Sequence, residues 1–129
     1  MITISIGPGE AVDRLTILKI KRDHSGTAGH ATNLIKQIIN LEKDLRELYD
    51  RMSPSAQCDF NLVAEKLLEV NQELWDLETE LRKHQSLFFQ GMTSRKIAYK
   101  NSERSSLKIR LDGLLNANDD VGLISLKQY

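Results

Sequence analysis

Two heptad stripes that meet at one short turn constrain the fold of this chain more than any other feature. The stripe before the turn consists of Leu34, Ile38, Leu41, Leu45, Leu48 and Met52. The stripe after it consists of Phe60, Val63, Leu67, Val70, Leu74, Leu77, Leu81, His84 and Phe88. Alternating spacings of three and four residues are typical of helices that pack along a seam. Because the turn at Ser53-Pro54-Ser55 is short, the helices must fold back antiparallel. The sequence therefore predicts an antiparallel helical hairpin, coiled-coil-like in its seam, over residues 31–52 and 53–88.

A second stripe lies beside the seam on both predicted helices. On the first helix it consists of Ile35, Ile39, Glu42, Arg46 and Tyr49. On the second helix it consists of Ala64, Leu68, Asn71, Trp75, Glu78 and Arg82. An apolar arc wider than a seam is typical of a helix inside a bundle. We therefore expect an all-α bundle in which one helix before the hairpin and one after it cover this face.

The chain ends supply the remaining elements. Residues 2–6 alternate apolar and small polar side chains, which predicts a short strand, and residues 121–126 form a candidate strand that would pair with it. Between the first strand and the first helix lies Gly7-Pro8-Gly9. A phosphate-binding loop is one interpretation of these glycines. Two carboxylates in the following turn, Glu10 and Asp13, favour a capped helix start, with the helix extending to about His24.

The last predicted helix begins after the hairpin. Gln90-Gly91 is expected to close the preceding helix, and either Thr93 or Ser94 is a candidate N-cap for the next one, which extends to about Asn116. The hairpin's second helix is longer than its first, so its far end overhangs and needs cover. A homodimer is one way to supply that cover.

Size and composition limit the class of protein. The 129 residues fit one domain, 1–129, and a content of 40% hydrophobic and 28% charged residues is ordinary for a globular protein. No signal sequence or membrane span is visible, and the single cysteine, Cys58, suits a reducing cytoplasm. The formal net charge of zero argues against a general affinity for nucleic acid.

Charge is unevenly distributed along the chain. Residues 32–90 carry seven basic and eleven acidic groups, whereas residues 91–129 carry seven basic and four acidic groups. Four cations follow one another at i+4 positions: Lys96, Lys100, Arg104 and Lys108. Such a row needs a counter-charge, because like charges at this spacing repel. The counter-charge is either a phosphorylated ligand or carboxylates of the hairpin, with Glu42 and Glu78 as candidates.

A second polar group lies on the hairpin itself. Asn71, Trp75, Glu78 and Arg82 share one helical face, which favours either a small polar pocket or a tryptophan that plugs the bundle with polar neighbours at its rim.

An enzymatic interpretation depends on carboxylate spacing. The pairs Asp44/Glu47 and Glu73/Asp76 resemble the acidic pairs with which all-helical nucleotide pyrophosphohydrolases hold magnesium. Both pairs lie on the flanks of the seam, and the further glutamates of that family are missing. The histidines are too dispersed for a metal cluster, so we predict no metal site.

Three blocks of sequence resemble a family of short helical bacterial and phage proteins with no established activity. The first is Gly9-Glu10-Ala11-Val12-Asp13-Arg14-Leu15-Thr16-Ile17-Leu18-Lys19-Ile20-Lys21, which fits the pattern G-E-x-x-D-[RK]-L-T-I-L-x-I-K. The others are residues 70–78, and residues 99–104 followed by Lys108, with a final Lys127-x-Tyr129. This chain has Asn101-Ser102 where the family often has Asn-Asp. The resemblance implies an association with surface-polysaccharide genes, which is not a mechanism.

The blocks and the bundle together suggest one polar site between the first, third and fourth helices. The candidate binding residues are Glu10, Asp13, Arg14, Asn71, Trp75, Glu78, Lys100, Asn101, Arg104 and Lys108. We predict a non-enzymatic binding or accessory protein that recognises an anionic, phosphorylated small molecule or a partner protein, without a cofactor. The alternative is a small hydrolase or transferase that acts with Mg²⁺ on a phosphorylated nucleotide or sugar, using Glu10, Asp13 and Glu78 with the helix-four cations.

Overall fold

The computed structural model describes residues 2–26, 28–115 and 124–128. In chain order the elements are β1 (Ile2–Ile6), α1 (Pro8–Asp23), α2 (Ala28–Asp50), α3 (Pro54–Lys83), α4 (Leu87–Leu115) and β2 (Ile124–Gln128). The predicted all-α bundle is confirmed. None of the described helices is long and apolar enough to cross a membrane.

Most of the first predicted stripe and the middle of the second are buried, but α2 packs mainly on α1 and α3 mainly on α4, more than on each other. Leu34, Ile38, Leu41, Leu45 and Leu48 of α2 and Val63, Leu67, Val70 and Leu74 of α3 are all buried. Leu41, Leu45, Leu48 and the four α3 residues form one core cluster with Ala11 and Val12 of α1 and with Leu107 and Leu111 of α4. Removing these side chains from water supplies the main driving force for assembling the helices.

The turn between α2 and α3 follows its predicted chemistry. The Ser53 hydroxyl accepts a hydrogen bond from the Ala56 N–H at 3.1 Å, and Pro54 occupies the first helical position. Across the turn, the ring of Phe60 meets the ring of Tyr49 edge to face, with 5.6 Å between the centroids. The turn is therefore closed by both a cap and an aromatic contact.

The boundary between α3 and α4 differs from the prediction. Helix α3 ends at Lys83 instead of Phe88, because the backbone becomes extended at His84 (φ −108°, ψ 133°). Ser86 caps α4 by accepting a hydrogen bond from the Phe89 N–H at 3.4 Å. The heptad spacing continues across this break, so periodicity alone did not reveal it. Gln90-Gly91 therefore lies inside α4, and neither Thr93 nor Ser94 is a cap.

The most extensive helix–helix packing is between α3 and α4, and α1 packs against α2, α3 and α4. Helix α4 turns back along α3, and Lys100 of α4 forms an ion pair with Glu73 of α3. The end of α3 that extends beyond α2 is therefore covered by the same chain. The cover for which a homodimer was predicted is thus supplied within the chain.

The second stripe of α2 is not covered as predicted. Ile35 and Ile39 are 42% and 58% exposed. The reason is that α1 places Ala11 and Val12 in the seam core instead of lying over this stripe. On α3 the prediction holds for Asn71, which is buried.

The chain ends pair as an antiparallel two-stranded ladder. Ile2 lies opposite Gln128, and Ile6 lies opposite Ile124. The second strand is therefore Ile124–Gln128 rather than 121–126, of which 121–123 lie outside the described residues, as does Asn116, the predicted end of α4.

Candidate functional site: an ion-pair network and an adjoining groove

Asp13 is the centre of a polar network where α1, α3 and α4 meet. Its side chain is 1% exposed. The carboxylate accepts hydrogen bonds from Arg104 Nε at 2.8 Å and Arg104 Nη2 at 2.5 Å, which is the two-pronged geometry that a guanidinium favours. Asn71 Nδ2 donates to the same carboxylate at 2.9 Å. One buried charge thereby ties three helices together.

Glu10 lies one turn earlier on α1 and forms the outer part of the network. Its carboxylate pairs with Lys108 Nζ at 2.6 Å and with Arg14 Nε at 3.0 Å. Lys108 Nζ also lies 3.9 Å from Asp13 Oδ2. Arg104 and Lys108 of α4 are therefore paired with carboxylates of α1, and neither forms an ion pair with Glu42 or Glu78, the partners that the sequence suggested. Glu42 pairs instead with Lys19 at 3.4 Å.

The pKa values within the network follow from these contacts. Burial raises the pKa of Asp13, but the hydrogen bonds from Arg104 and Asn71 and the charges of Arg104 and Lys108 outweigh burial and leave it below the usual value. The same balance, with Lys108 and Arg14 as partners, lowers the pKa of Glu10. The hydrogen bond to Asp13 raises the pKa of Arg104. Both carboxylates are therefore ionised at neutral pH.

Two contributors to this region were missed from the sequence. Thr16 Oγ1 accepts a hydrogen bond from Asn71 Nδ2 at 2.7 Å and donates to the Asp13 carbonyl at 2.7 Å. Asp112 of α4 accepts the Gly9 N–H at 2.8 Å and so caps α1 from another helix. The i+3 spacing of Thr16 from Asp13 was a usable signal, whereas the position of Asp112 was not readable without the fold. With Asp112 there, the Gly7-Pro8-Gly9 turn is a capped helix start, as preferred above.

The remaining candidates lie apart from this network. Trp75 stacks against the ring of His24, with 4.7 Å between the centroids. Glu78 is exposed and acts on Arg104 through its charge without a hydrogen bond. Asn101 is exposed, on the outer side of α4. The structure thus brings together Glu10, Asp13, Arg14, Asn71, Arg104 and Lys108, and leaves out Trp75, Glu78, Lys100 and Asn101.

Lys100 belongs to a second feature, an open groove of about 520 Å³ between α3 and α4. The α3 wall consists of Glu73, Asp76 and Leu77, and the α4 wall consists of Arg95, Lys96, Tyr99 and Lys100. Lys100 is paired with Glu73 at 2.5 Å and with Glu103 at 3.3 Å, and the hydrogen bond to Glu73 raises its pKa. Arg95 and Lys96 have no ion-pair partner within the described ranges. We call these seven residues the α3/α4 groove.

The two features differ in what they can do chemically. In the network every buried side-chain nitrogen and oxygen of the described residues has a hydrogen-bond partner, so a ligand there would first have to break existing pairs. In the α3/α4 groove, Arg95 and Lys96 have no ion-pair partner among the described residues and lie beside the exposed ring of Tyr99. Within the described part of the chain, no three His, Cys, Asp or Glu side chains form a group that could hold a metal ion.

Comparison of the chain with protein-family models, with curated proteins and with solved structures gives no match in any of the three.

Proposed function

We propose that this protein is a non-enzymatic binding protein whose ligand is an organic phosphate held in the α3/α4 groove. The observation that carries the proposal is the contrast within the cation row of α4. Lys100, Arg104 and Lys108 are each paired with carboxylates of the same chain. Lys96 and its neighbour Arg95 are not paired among the described residues and face a groove large enough for a small molecule.

The lining of the groove supports a particular type of ligand. Arg95 and Lys96 offer charge-assisted hydrogen bonds to phosphate oxygens. Tyr99 is 65% exposed and, with Leu77, offers an apolar surface for a ring. Asp76 can accept hydrogen bonds from hydroxyl groups. A phosphorylated sugar or nucleotide combines all three chemical features, and the family resemblance, with its association with surface-polysaccharide genes, makes nucleotide sugars the first compounds to test.

A thermal-shift titration tests this proposal directly. UDP-glucose, ATP and inorganic phosphate are added to the full chain, and a ligand at about ten times its Kd should stabilise the fold by about 1.4 kcal/mol. Lys96→Ala and Arg95→Ala should each weaken binding about tenfold, because a hydrogen bond to a charged group contributes about 1.5–3 kcal/mol. No stabilisation by any organic phosphate would contradict the proposal.

Arg110→Ala is the matched control for these variants. Arg110 is an exposed cation on the same helix, without an ion-pair partner in the described ranges, and it does not line the groove. Its replacement should leave ligand binding unchanged. If Arg110→Ala weakens binding as much as Lys96→Ala does, the effect is one of general charge and the assignment of the groove is wrong.

The enzyme alternative needs Glu10 and Asp13 to be available for Mg²⁺. Both carboxylates are occupied by Arg104, Lys108 and Arg14. This occupation supports the non-enzymatic proposal. Magnesium-dependent turnover of a nucleotide or sugar phosphate that is lost in Glu78→Gln would overturn it in favour of the alternative.

The proposal also includes a homodimer in the cytoplasm. The exposed Ile35 and Ile39 of α2 are the support for a dimer face, and Cys58, an exposed thiol, suits a reducing compartment. Light scattering on the eluting protein should give twice the chain mass of 14.7 kDa, and Ile39→Ser should return the mass to one chain. A monomeric wild-type protein at micromolar concentration would remove the dimer from the proposal.

A further inference from the structure

The turn between α3 and α4 exposes large apolar side chains at one end of the bundle. Leu87 is 85% exposed, Phe88 is 79% exposed and Met92 is 44% exposed. Phe88 and Met92 are four residues apart and therefore share one face of α4. Single exposed apolar residues are ordinary, but adjacent ones at the tip of a helical turn form a patch that favours contact with another phase or molecule.

This patch is held outward by an ordered turn. The Ser86 hydroxyl caps α4 at the Phe89 N–H, and Gln90 Nε2 donates to the His84 carbonyl at 2.8 Å. The ring of Phe89 packs on the ring of His84 with 4.0 Å between the centroids. Leu87 and Phe88 are therefore exposed within an ordered turn.

Two cations come directly before the turn that carries the patch. Arg82 and Lys83 occupy the last turn of α3 and are exposed. Residues 80–92, which do not reach the groove cations, contain two basic residues and one acidic residue, for a net charge of +1 with histidine neutral. The one acid, Glu80, is already engaged by His84 at 3.2 Å and by Lys83 at 4.0 Å. Exposed apolar side chains beside exposed cations are typical of a surface that docks on anionic lipid.

We propose that this end of the bundle docks on the surface of an anionic phospholipid bilayer. Leu87 and Phe88 enter the boundary between headgroups and acyl chains, while Arg82 and Lys83 lie at the level of the lipid phosphates. A second copy of the chain is a poorer occupant, since it would bring an identical net positive tip against the first. This surface is separate from the α3/α4 groove and from the Ile35/Ile39 face.

Vesicle co-sedimentation of the full chain tests the proposal. The protein should sediment with vesicles of equal parts phosphatidylglycerol and phosphatidylcholine and remain in the supernatant with pure phosphatidylcholine. The double variant Leu87→Ser/Phe88→Ser should weaken partitioning by about tenfold or more, because burial of one such side chain is worth at least that factor. Lys83→Ala should weaken it about fivefold, the contribution of one cation at an anionic surface.

Ile109→Ser is the matched control. Ile109 is 69% exposed on the same helix but lies far from the α3–α4 turn. Its replacement should change partitioning less than about twofold, as surface substitutions outside a contact do. Equal binding to both vesicle types, no binding to either, or equal loss in the control and the double variant would each overturn the proposal. A wild-type dimer that becomes monomeric in the double variant would assign the patch to a second copy instead.

The result is separable from that for the α3/α4 groove. The double variant keeps Arg95, Lys96 and Tyr99, so its stabilisation by an organic phosphate should equal that of the wild type. Circular dichroism at 222 nm checks that it is folded. If the double variant is not folded, the wild-type protein alone still tests the docking proposal. Raising NaCl from about 0.05 M to about 0.5 M should release the wild-type protein from anionic vesicles.

Discussion

Asparagine in place of Asp13 keeps the shape of the side chain and removes its charge. The native carboxylate accepts at both oxygens: Oδ1 receives Asn71 Nδ2 and Arg104 Nε, and Oδ2 receives Arg104 Nη2. An asparagine must place its own N–H₂ group at one of these two positions, so a donor faces a donor in either orientation. The substitution therefore leaves unsatisfied groups as well as an unpaired guanidinium.

The expected cost follows from burial. Breaking a buried ion pair by removing one partner costs about 3–5 kcal/mol. Asp13 is 1% exposed, but the Arg104 side chain is 30% exposed and regains some hydration. We therefore expect Asp13→Asn to lower the free energy of unfolding by about 3 kcal/mol, the low end of this range. For a domain of this size, that loss corresponds to a decrease of about 10 °C in Tm.

Urea unfolding followed by circular dichroism at 222 nm measures this difference. Asp59→Asn is the control, because Asp59 is exposed and has no ion pair in the described part of the chain; it should change stability by less than about 0.5 kcal/mol. Adding Arg104→Met to Asp13→Asn completes a double-mutant cycle, and the pair should be less destabilising than the sum of the single variants by about 1.5 kcal/mol or more. A coupling near zero would refute the argument that the two charges stabilise each other.

The same network sets a pH dependence. Since the folded-state pKa values of Asp13 and Glu10 are lowered, the unfolded chain binds protons at higher pH than the folded chain does. Their contribution is therefore complete above the ordinary carboxylate range, about pH 4–5, and is lost as pH falls through the lower folded values. Wild-type stability should decline in this window more steeply than that of Asp13→Asn. Parallel pH profiles would show that Asp13 is not the group responsible.

Four further substitutions test the packing, the helix propensity and the cap by the same unfolding measurement. At Gly9 an added Cβ would lie 2.2 Å from the Lys108 carbonyl oxygen, so Gly9→Ala should destabilise the fold by about 1–3 kcal/mol. At Gly91, inside α4, an added Cβ would meet open space, so Gly91→Ala should stabilise the fold by up to about 1 kcal/mol. Ser53→Ala should cost about 1 kcal/mol through loss of the α3 cap. Leu67→Ala should cost about 2–5 kcal/mol, because Leu67 is 0% exposed.

The bundle was predictable because its signal is local. Apolar spacing identified most of the buried residues of α2 and α3, and the Ser53-Pro54 cap marked the turn, but the spacing did not show that α2 packs mainly on α1 and α3 on α4. The break at His84 was not predictable in the same way, since Phe88 continues the heptad spacing although it belongs to α4.

The network was predictable in its members but not in its partners. Glu10, Asp13, Asn71, Arg104 and Lys108 were all singled out as polar groups that converge between three helices. The pairing of carboxylates with cations depends on where α1 lies in the bundle. The apolar pattern of α1 is compatible with several packing faces. Internal pairing and ligand binding were both left open from the sequence, and only the geometry distinguishes the paired cations from Arg95 and Lys96.

The register of α1 against α4 has a physical origin in Gly9. Cations repeat every four residues along α4, so a slide of one helical turn would still offer Asp13 a positive partner, at Lys100 or Lys108 in place of Arg104. Charge attraction alone therefore does not select one register. The close approach of Gly9 to the Lys108 carbonyl does, because this position tolerates no Cβ, and the Gly9 N–H finds its acceptor in Asp112 at the same point. Once that contact is made, Asp13 lies opposite Arg104. Among these three cations, only the guanidinium of Arg104 can donate two parallel hydrogen bonds to the carboxylate. Gly9 thus sets the register, and the ion pair then stabilises it. Gly9→Ala should therefore weaken the coupling energy between Asp13 and Arg104, although neither charged residue has been changed.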